Sequence, residues 1–276
     1  MNRLLSLCAV VAVLCAPLAV ARTADNRAIM SQFIERFYGQ RDVAGAFADH
    51  VSADYIQHNP GLPDGPQAAV AALAPMFAAP GSRFDVRHVL VDGDLALVHL
   101  HGQGTPGTSG AAVADIYRLK DGKIAEHWDV IQPVEAGTDP LAAAEPAPPR
   151  QEDAMANRRR FLRFVDLLFR QNRVEAAYAA YVAADLIQHN ARMGQGRAAA
   201  IAAIKGLRAA PGATFEVQRV LIDGNLAAVH YRGKLSTDDQ GAAIVEIFRF
   251  DRGKIVEHWD MFQPIPRNAS NAHPMF

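Results

Sequence analysis

Apolar residues near the start of the sequence fall at helical spacing. Ile29, Phe33 and Phe37 recur at every fourth position with Met30 and Ile34 beside them, which predicts an amphipathic opening helix. A short helical stretch follows near 43–49, and an alanine-rich one runs from Pro66 to about Ala79. Pro66 suits a first helical turn, and Pro80-Gly81 stops the helix. Four strand-like runs come next: Arg83–Val91, Leu95–Gln103, Ala111–Lys120 and Lys123–Gln132. Asp92-Gly93 and Asp121-Gly122 sit between neighbouring runs as hairpin turns. Helices first and a strand meander last predict an α+β unit, a curved antiparallel sheet packed on N-terminal helices.

The whole order then returns. AEHWDVIQPV at 125–134 reappears as VEHWDMFQPI at 256–265, Ile56-Gln57-His58-Asn59 as Ile187-Gln188-His189-Asn190, and Val98-His99 as Val229-His230. The offset is 131 residues throughout, as from His58 to His189, with no insertion or deletion. A period this long means one globular domain duplicated, not a solenoid. The copies span about 25–134 and 156–266; a Pro- and Ala-rich linker fills 135–155 and a short tail covers 267–276.

Composition adds a leader and removes several chemistries. Arg3, the apolar stretch Leu4 to Leu18 and the small-x-small Ala19-Val20-Ala21 read as a secretory signal peptide, so residues 1–21 are expected to be removed and the protein to be periplasmic or secreted. No later apolar run is long enough to span a bilayer, so no membrane partner is expected after cleavage. Cys8 and Cys15 both lie in that leader, leaving the mature chain without thiol chemistry or disulfides. The net charge of −1, without a basic stripe, argues against nucleic acid. Gly-rich phosphate loops, paired CxxC motifs and Gly-x-Ser-x-Gly elbows are all absent from the sequence.

IQHNP-x3-DG at 56–65, VDGDLALVHLH at 91–101 and ADIYRLKDGKIAEHWDVIQ at 114–132 resemble the SnoaL-like polyketide cyclases. More closely, they resemble the predicted aldol-condensation-type branch of the nuclear transport factor 2-like superfamily. The resemblance covers nearly all of the first copy and most of the second. It implies two tandem cone-shaped α+β barrels, each a bent sheet wrapping a long helix around a pocket at its open end. Relatives include cyclases, dehydratases, isomerases, epoxide hydrolases and inert binding modules, so the fold does not fix the reaction.

Within the first copy, His99 and His101 share a strand face, and Asp115 shares its face with Val113 and Tyr117 on the next strand. Adjacent antiparallel strands can bring the carboxylate beside the imidazoles in apolar surroundings, which raises its pKa. By the family resemblance Asp115 is the acid/base and His101, fourteen residues earlier, its helper, with His99 orienting. Two other readings stand beside this one: polar residues on a solvated sheet face, and a divalent-ion site. The leading expectation carries neither metal nor organic cofactor.

His58 and Asn59, placed on a loop or helix end at the pocket rim, either orient a substrate or satisfy the turn. Tyr117 shares the pocket face, and Trp128 anchors either the pocket or an interface. In the second copy His189, His230 and Trp259 are retained, while Arg232 replaces His101 and Glu246 replaces Asp115. An arginine beside that glutamate would lower its pKa and silence it. The expected partners are a small apolar molecule for the first copy and the second copy itself, paired through the sheets as an intrachain pseudo-dimer. The leading function is cofactor-free acid/base chemistry; the rival is a non-catalytic binding or pairing module.

Overall fold

The computed structural model describes residues 23, 25–135, 138, 141 and 154–276. The expected leader and most of the expected linker lie outside the described residues. Each copy opens with a helix: α1 covers residues 25–34 and runs into a π turn at Glu35–Gly39. Two further helices, α2 (Val43–His50) and α3 (Pro66–Ala78), flank a strand, β1 (Val51–Gln57). The meander follows as β2 (Arg83–Asp92), β3 (Leu95–Gln103), β4 (Ala111–Lys120) and β5 (Lys123–Pro133). The second copy repeats the order. Helix α4 (Ala154–Val165) ends in a π turn at Asp166–Arg170, then come α5 (Val174–Tyr181), β6 (Val182–Gln188) and α6 (Gly196–Arg208). Its meander is β7 (Thr214–Asp223), β8 (Leu226–Lys234), β9 (Ala242–Asp251) and β10 (Lys254–Pro264).

The sheets differ from the expected form in two respects. Strand β1, which the sequence did not predict, runs up to His58 and Asn59 and pairs in parallel with β5. Each sheet is therefore mixed, with orders β1-β5-β4-β3-β2 and β6-β10-β9-β8-β7. Both are open, since the two outer strands of each do not pair; neither is a closed barrel. Parallel pairing needs a long crossover rather than a tight turn, so no hairpin signal announces β1. The meander strands match their predicted spans closely. Asp121 and Gly122 both take positive φ (51° and 77°), the conformation a two-residue hairpin turn requires.

Each sheet has two buried faces. Toward the helices, Met30, Phe33 and Phe37 of α1 and its π turn pack with Val98, Leu100, Tyr117 and Ile124. Toward the other copy, Leu97, Ile116, Trp128 and Val130 meet Val245, Ile247, Trp259 and Met261 in one apolar layer between the sheets. This double burial explains the mixed composition of the EHWD strand: one face looks into its own domain and the other looks across to the duplicate.

The contacts across this layer are reciprocal. Gln263 Oε1 accepts from Ile131 N at 2.8 Å, and Gln132 Oε1 accepts from Phe262 N at 2.9 Å. Likewise Asp223 accepts from Val91 N at 2.9 Å and Asp92 from Ile222 N at 3.0 Å. Arg158 pairs with Asp92 at 2.8 Å and Arg27 with Asp223 at 2.7 Å. Residue i of one copy meets j of the other and j meets i, the pattern of an isologous two-fold interface.

Candidate functional site

A cavity of about 320 Å³ lies between the sheet and the helices of the first copy. Its wall is mainly aromatic and aliphatic, with Phe33, Phe47, Phe77 and Leu100 among the lining residues. Five polar side chains reach it from the β1 end and the adjacent strands: Gln57, Asn59, Asp115, His127 and Asp129. Tyr38, Tyr55 and Tyr117 also line it.

Register brings these groups together. Asp115 on β4 lies directly opposite Asp129 on β5, and Gln57 on β1 opposite His127. His127 Nε2 is 2.9 Å from Asp115 Oδ1, and Tyr38 donates its hydroxyl to Asp115 Oδ2 at 2.5 Å. Tyr38 and Tyr117 share a further hydrogen bond at 2.6 Å. On its other side, His127 Nδ1 meets Gln57 Oε1 at 2.9 Å. That oxygen also accepts from the backbone N–H of Asn59 at 2.8 Å, while Gln57 Nε2 donates to Tyr55 Oη at 2.9 Å. The Asn59 N–H can only donate, so the amide oxygen faces it, and His127 Nδ1 carries its proton. Both imidazole nitrogens then face acceptors, an arrangement that favours the charged ring.

The electrostatics agree with the geometry. Burial opposes a charge on His127, but the hydrogen bond to Asp115 and the charges of Asp115 and Asp129 outweigh it and raise its pKa. Asp129 is pushed up to about 6, first by burial and also by the Asp115 charge, against the opposing pull of His127 and of the Asn59 hydrogen bond. Burial, and then the Asp115 charge, holds the Tyr38 and Tyr117 hydroxyls well above their ordinary range, so both remain neutral donors. Asp129 Oδ2 takes the Asn59 amide at 2.5 Å, whereas its buried Oδ1 has no hydrogen-bond partner among the described residues.

Asp115, His127 and Asp129 each offer one ligand atom within 4.8 Å of the others. Two carboxylates and an imidazole are a donor set a divalent ion can use. In the described arrangement Tyr38, Gln57, Asn59 and the His127–Asp115 contact engage every one of those donor atoms except Asp129 Oδ1.

The expected helpers of Asp115 lie elsewhere. Asp115 faces Val98, while His99 faces Ala114 and His101 faces Ala112. Both histidines therefore project from the opposite side of the sheet. His99 Nδ1 lies 3.0 Å from His88 Nδ1 in the layer between the sheets, near Trp259. His101 Nε2 donates to Ser109 O at 2.8 Å on the rim. The β3–β4 connection, 104–110, is too long to set a register from sequence, and an offset of one residue exchanges the faces.

Asn59 and Tyr117 line the cavity; His58 stands outside it, and Trp128 takes the interface place that was one of its two expected positions. Trp128 lies between the sheets, and His58 stacks on it at 4.7 Å with Nε2 on Glu126 at 2.9 Å. The groups that sequence reasoning missed are His127, Asp129, Tyr38 and Gln57. His127 and Asp129 were visible as same-face residues of a string assigned to structure. Tyr38 is out of phase with the Phe33–Phe37 stripe and is buried by the π turn.

The second copy keeps the frame and changes the side chains on its inner face. His189 stacks on Trp259 at 4.9 Å, and His230 accepts from Arg219 at 3.3 Å. Arg232 does not pair with Glu246. It donates to Gln240 O at 2.8 Å, because the register puts it opposite Ala243 and Glu246 opposite Val229. The expected salt bridge is thus replaced by a hydrogen bond from Tyr231 to Glu246 at 2.7 Å. The pKa of Glu246 is raised, not lowered: burial and Asp260 raise it against the pull of His258 and Tyr231. Tyr231 stands where Leu100 does, Ile244 replaces Val113, and Arg208 replaces Phe77 with its guanidinium 4.4 Å above the Phe215 ring.

A family model for the SnoaL-like domain matches at residues 30–127 and again at 161–258. An NTF2-like protein of unknown function from Mesorhizobium loti is 22% identical, covering 43% of this chain and 97% of its own, with a TM-score of 0.36. A candidate ketosteroid isomerase from Kribbella flavida is 23% identical over 42% of this chain and 83% of its own, TM-score 0.36. A candidate polyketide cyclase from Acidithiobacillus ferrooxidans is 18% identical over 39% and 87%, TM-score 0.32. No curated protein matches. The two family matches together cover more than half of the chain, which belongs to the SnoaL-like domain family and carries that domain twice.

Proposed function

We propose that the first copy performs cofactor-free acid/base chemistry on a small, largely apolar carbonyl compound, with Asp129 moving the proton. The observation that carries this reading is Asp129 Oδ1, a buried carboxylate oxygen without a partner among the described residues, in the wall of an apolar cavity. Asp115, the residue singled out by family resemblance, has both oxygens engaged and acts as support.

With a pKa near 6, Asp129 is mostly ionised at neutral pH yet basic enough to accept a proton. It removes a proton from the carbon beside the carbonyl; the C–H electron pair passes into the C–C bond and the charge moves to oxygen. Tyr55 Oη accepts from Gln57, leaving its own proton for the developing oxyanion, and burial keeps that hydroxyl neutral. Return of the proton to another carbon gives isomerisation. Attack of the enolate on a second carbonyl gives an aldol product. The His127 charge, held between Asp115 and Gln57, restrains the rise in the Asp129 pKa.

The test is α-deuteration of 2-tetralone in D₂O, followed by proton NMR. Exchange above the buffer rate, lost in Asp129→Asn and unaffected by EDTA, is the expected result. No exchange above buffer, with the ketone still bound, overturns catalysis in favour of a binding module. The mutually satisfied Tyr38–Asp115–His127 chain is the feature that favours that second reading.

Export belongs to the same proposal. The basic, apolar and small-x-small succession of residues 1–21 supports it. N-terminal sequencing of the protein recovered after expression should start just past Ala21; an intact Met1 terminus would remove the periplasmic or secreted assignment.

A further inference from the structure

We propose that Ser270–Pro274, the tail of the second copy, is a positioning element of the first copy's site, with Asn271 its principal donor. This rests on the reading of Asp129 given above. After β10 the chain crosses to the first copy before Phe276 returns to its own sheet and stacks on His230 at 5.4 Å. Ser270 N donates to Pro60 O at 2.7 Å, and Asn271 Nδ2 donates to both Asn59 O at 2.7 Å and Leu62 O at 2.8 Å. Three carbonyls of the 59–62 loop are thereby held by the tail. That loop supplies cavity wall through Gly61 and Leu62, and its Asn59 amide grips Asp129 Oδ2 at 2.5 Å.

A second line runs through charge. His273 Nε2 lies 2.9 Å from Asp64 Oδ2, while Asp64 Oδ1 accepts from Gln57 N at 3.0 Å. Gln57 in turn receives the His127 proton. The second copy shows which part of this the fold itself needs. Gln195 occupies the position of Asp64 and accepts from Gln188 N at 2.9 Å, so capping that backbone N–H requires no charge. The carboxylate at 64 is explained by the histidine that reaches it. The tail's end is anchored as well: Pro274 O takes the His58 Nδ1 proton at 2.5 Å, and Met275 is buried in the layer between the sheets. The second copy thus carries a strap that completes its neighbour's site.

The experiment is carbon-13 NMR titration of the full chain labelled at aspartate Cγ, with the Asp129 resonance identified by Asp129→Asn. Asn271→Ala and Asp64→Gln are compared with wild type, and amide hydrogen exchange is read at Gly61 and Leu62. Asp64→Gln copies what the second domain already tolerates, so it keeps the fold. As the Asn59 bond that favours ionisation slackens, the Asp129 midpoint is expected to rise by about half a unit or more in both variants. Exchange at the loop amides is expected to quicken at least about tenfold in Asn271→Ala. A midpoint near 6 in wild type that is unchanged or lower in both variants overturns the positioning role. A wild-type midpoint near 4 defeats the acid/base reading instead. The tail's hold on the loop is then judged by exchange alone, and unquickened amides in Asn271→Ala overturn it.

Discussion

The two faces of each sheet have had different histories since the duplication. On the face between the copies, Trp128 and Trp259, Gln132 and Gln263, and Asp92 and Asp223 make matching contacts from opposite sides. On the inner face the positions have parted: Tyr38 became Phe169, Tyr117 became Phe248, Asp115 became Glu246, Leu100 became Tyr231 and Phe77 became Arg208. A β-carbon added at Gly102 would meet side chains at 3.7 Å, whereas at the equivalent Gly233 it would lie 2.7 Å from Ile244. The inner face changed at these positions, while the pairing surface kept its indoles, glutamines and aspartates and changed elsewhere, with Leu97 matched by Ala228, Val130 by Met261 and His88 by Arg219. An isologous contact uses each residue type from both sides, so a change in one copy breaks complementarity unless the other answers it.

The sharpest way to break this comparison is the same substitution in both copies. Asp129→Asn is expected to lower the exchange rate by about 10²–10⁴-fold, the ordinary contribution of a positioned general base. Asp260→Asn, which keeps the contact with Asn190 at 2.7 Å, is expected to leave it unchanged. Comparable losses from both would show that the second copy is not silent.

The reverse symmetry is expected on the shared face. Trp128→Ala and Trp259→Ala each remove a fully buried indole, and each should lower unfolding free energy by about 3–5 kcal/mol in chemical denaturation. Trp128 also lies 3.5 Å beneath the Arg219 guanidinium, where Trp259 meets His88 at 4.5 Å. A difference between the two variants therefore measures the cation–π contact. If either substitution leaves stability intact, the layer between the sheets is not a folding core.

The pH dependence separates the copies again. Activity should climb as pH rises through about 6, where Asp129 loses its proton, and Asp129→Asn should abolish that limb along with the activity. Stability should run the other way. A carboxyl raised from 3.8 to about 6 holds its proton more tightly folded than unfolded. Its favourable contribution is complete below about pH 4 and is lost as pH rises through about 6, a change of roughly 3 kcal/mol at 1.36 kcal/mol per unit. Asp129→Asn should flatten that slope and raise Tm at pH 7. A Tm that falls in this variant would contradict the burial of an ionised carboxylate.

Much of this architecture was legible from sequence, and the reason it was not all legible lies in single residues. Duplication, helix order and the four meander strands follow from spacing and hairpin turns. The site did not follow, because faces depend on parity. The Asp121-Gly122 turn fixes Lys120 opposite Lys123 and Leu119 opposite Ile124. Continued without interruption, that register would set Asp115 opposite Trp128. A bulge at Ala125 moves the partner of Arg118 to Glu126, so Asp115 meets Asp129 and the carboxylates share a face. A similar irregularity between Val86 and His88 turns His88 toward His99. Neither bulge is marked by a glycine, so the string EHWD showed its recurrence but not its direction. Tyr38 was hidden in the same way by one extra residue in a helical turn.

The smallest expected effect tests the two-fold pairing itself. Gln132→Ala and Gln263→Ala each remove one side-chain acceptor from a backbone N–H of the opposite copy. A neutral hydrogen bond of this kind contributes about 0.5–1.5 kcal/mol, and an N–H left without a partner adds to the loss. The Ile131 amide served by Gln263 is partly buried and the Phe262 amide served by Gln132 is exposed. Water can replace the acceptor at the exposed site more readily, so Gln263→Ala should be the more damaging of the pair, with both losses near 1 kcal/mol by urea denaturation. No loss at either glutamine would mean that the copies pair in solution with a register other than the reciprocal one.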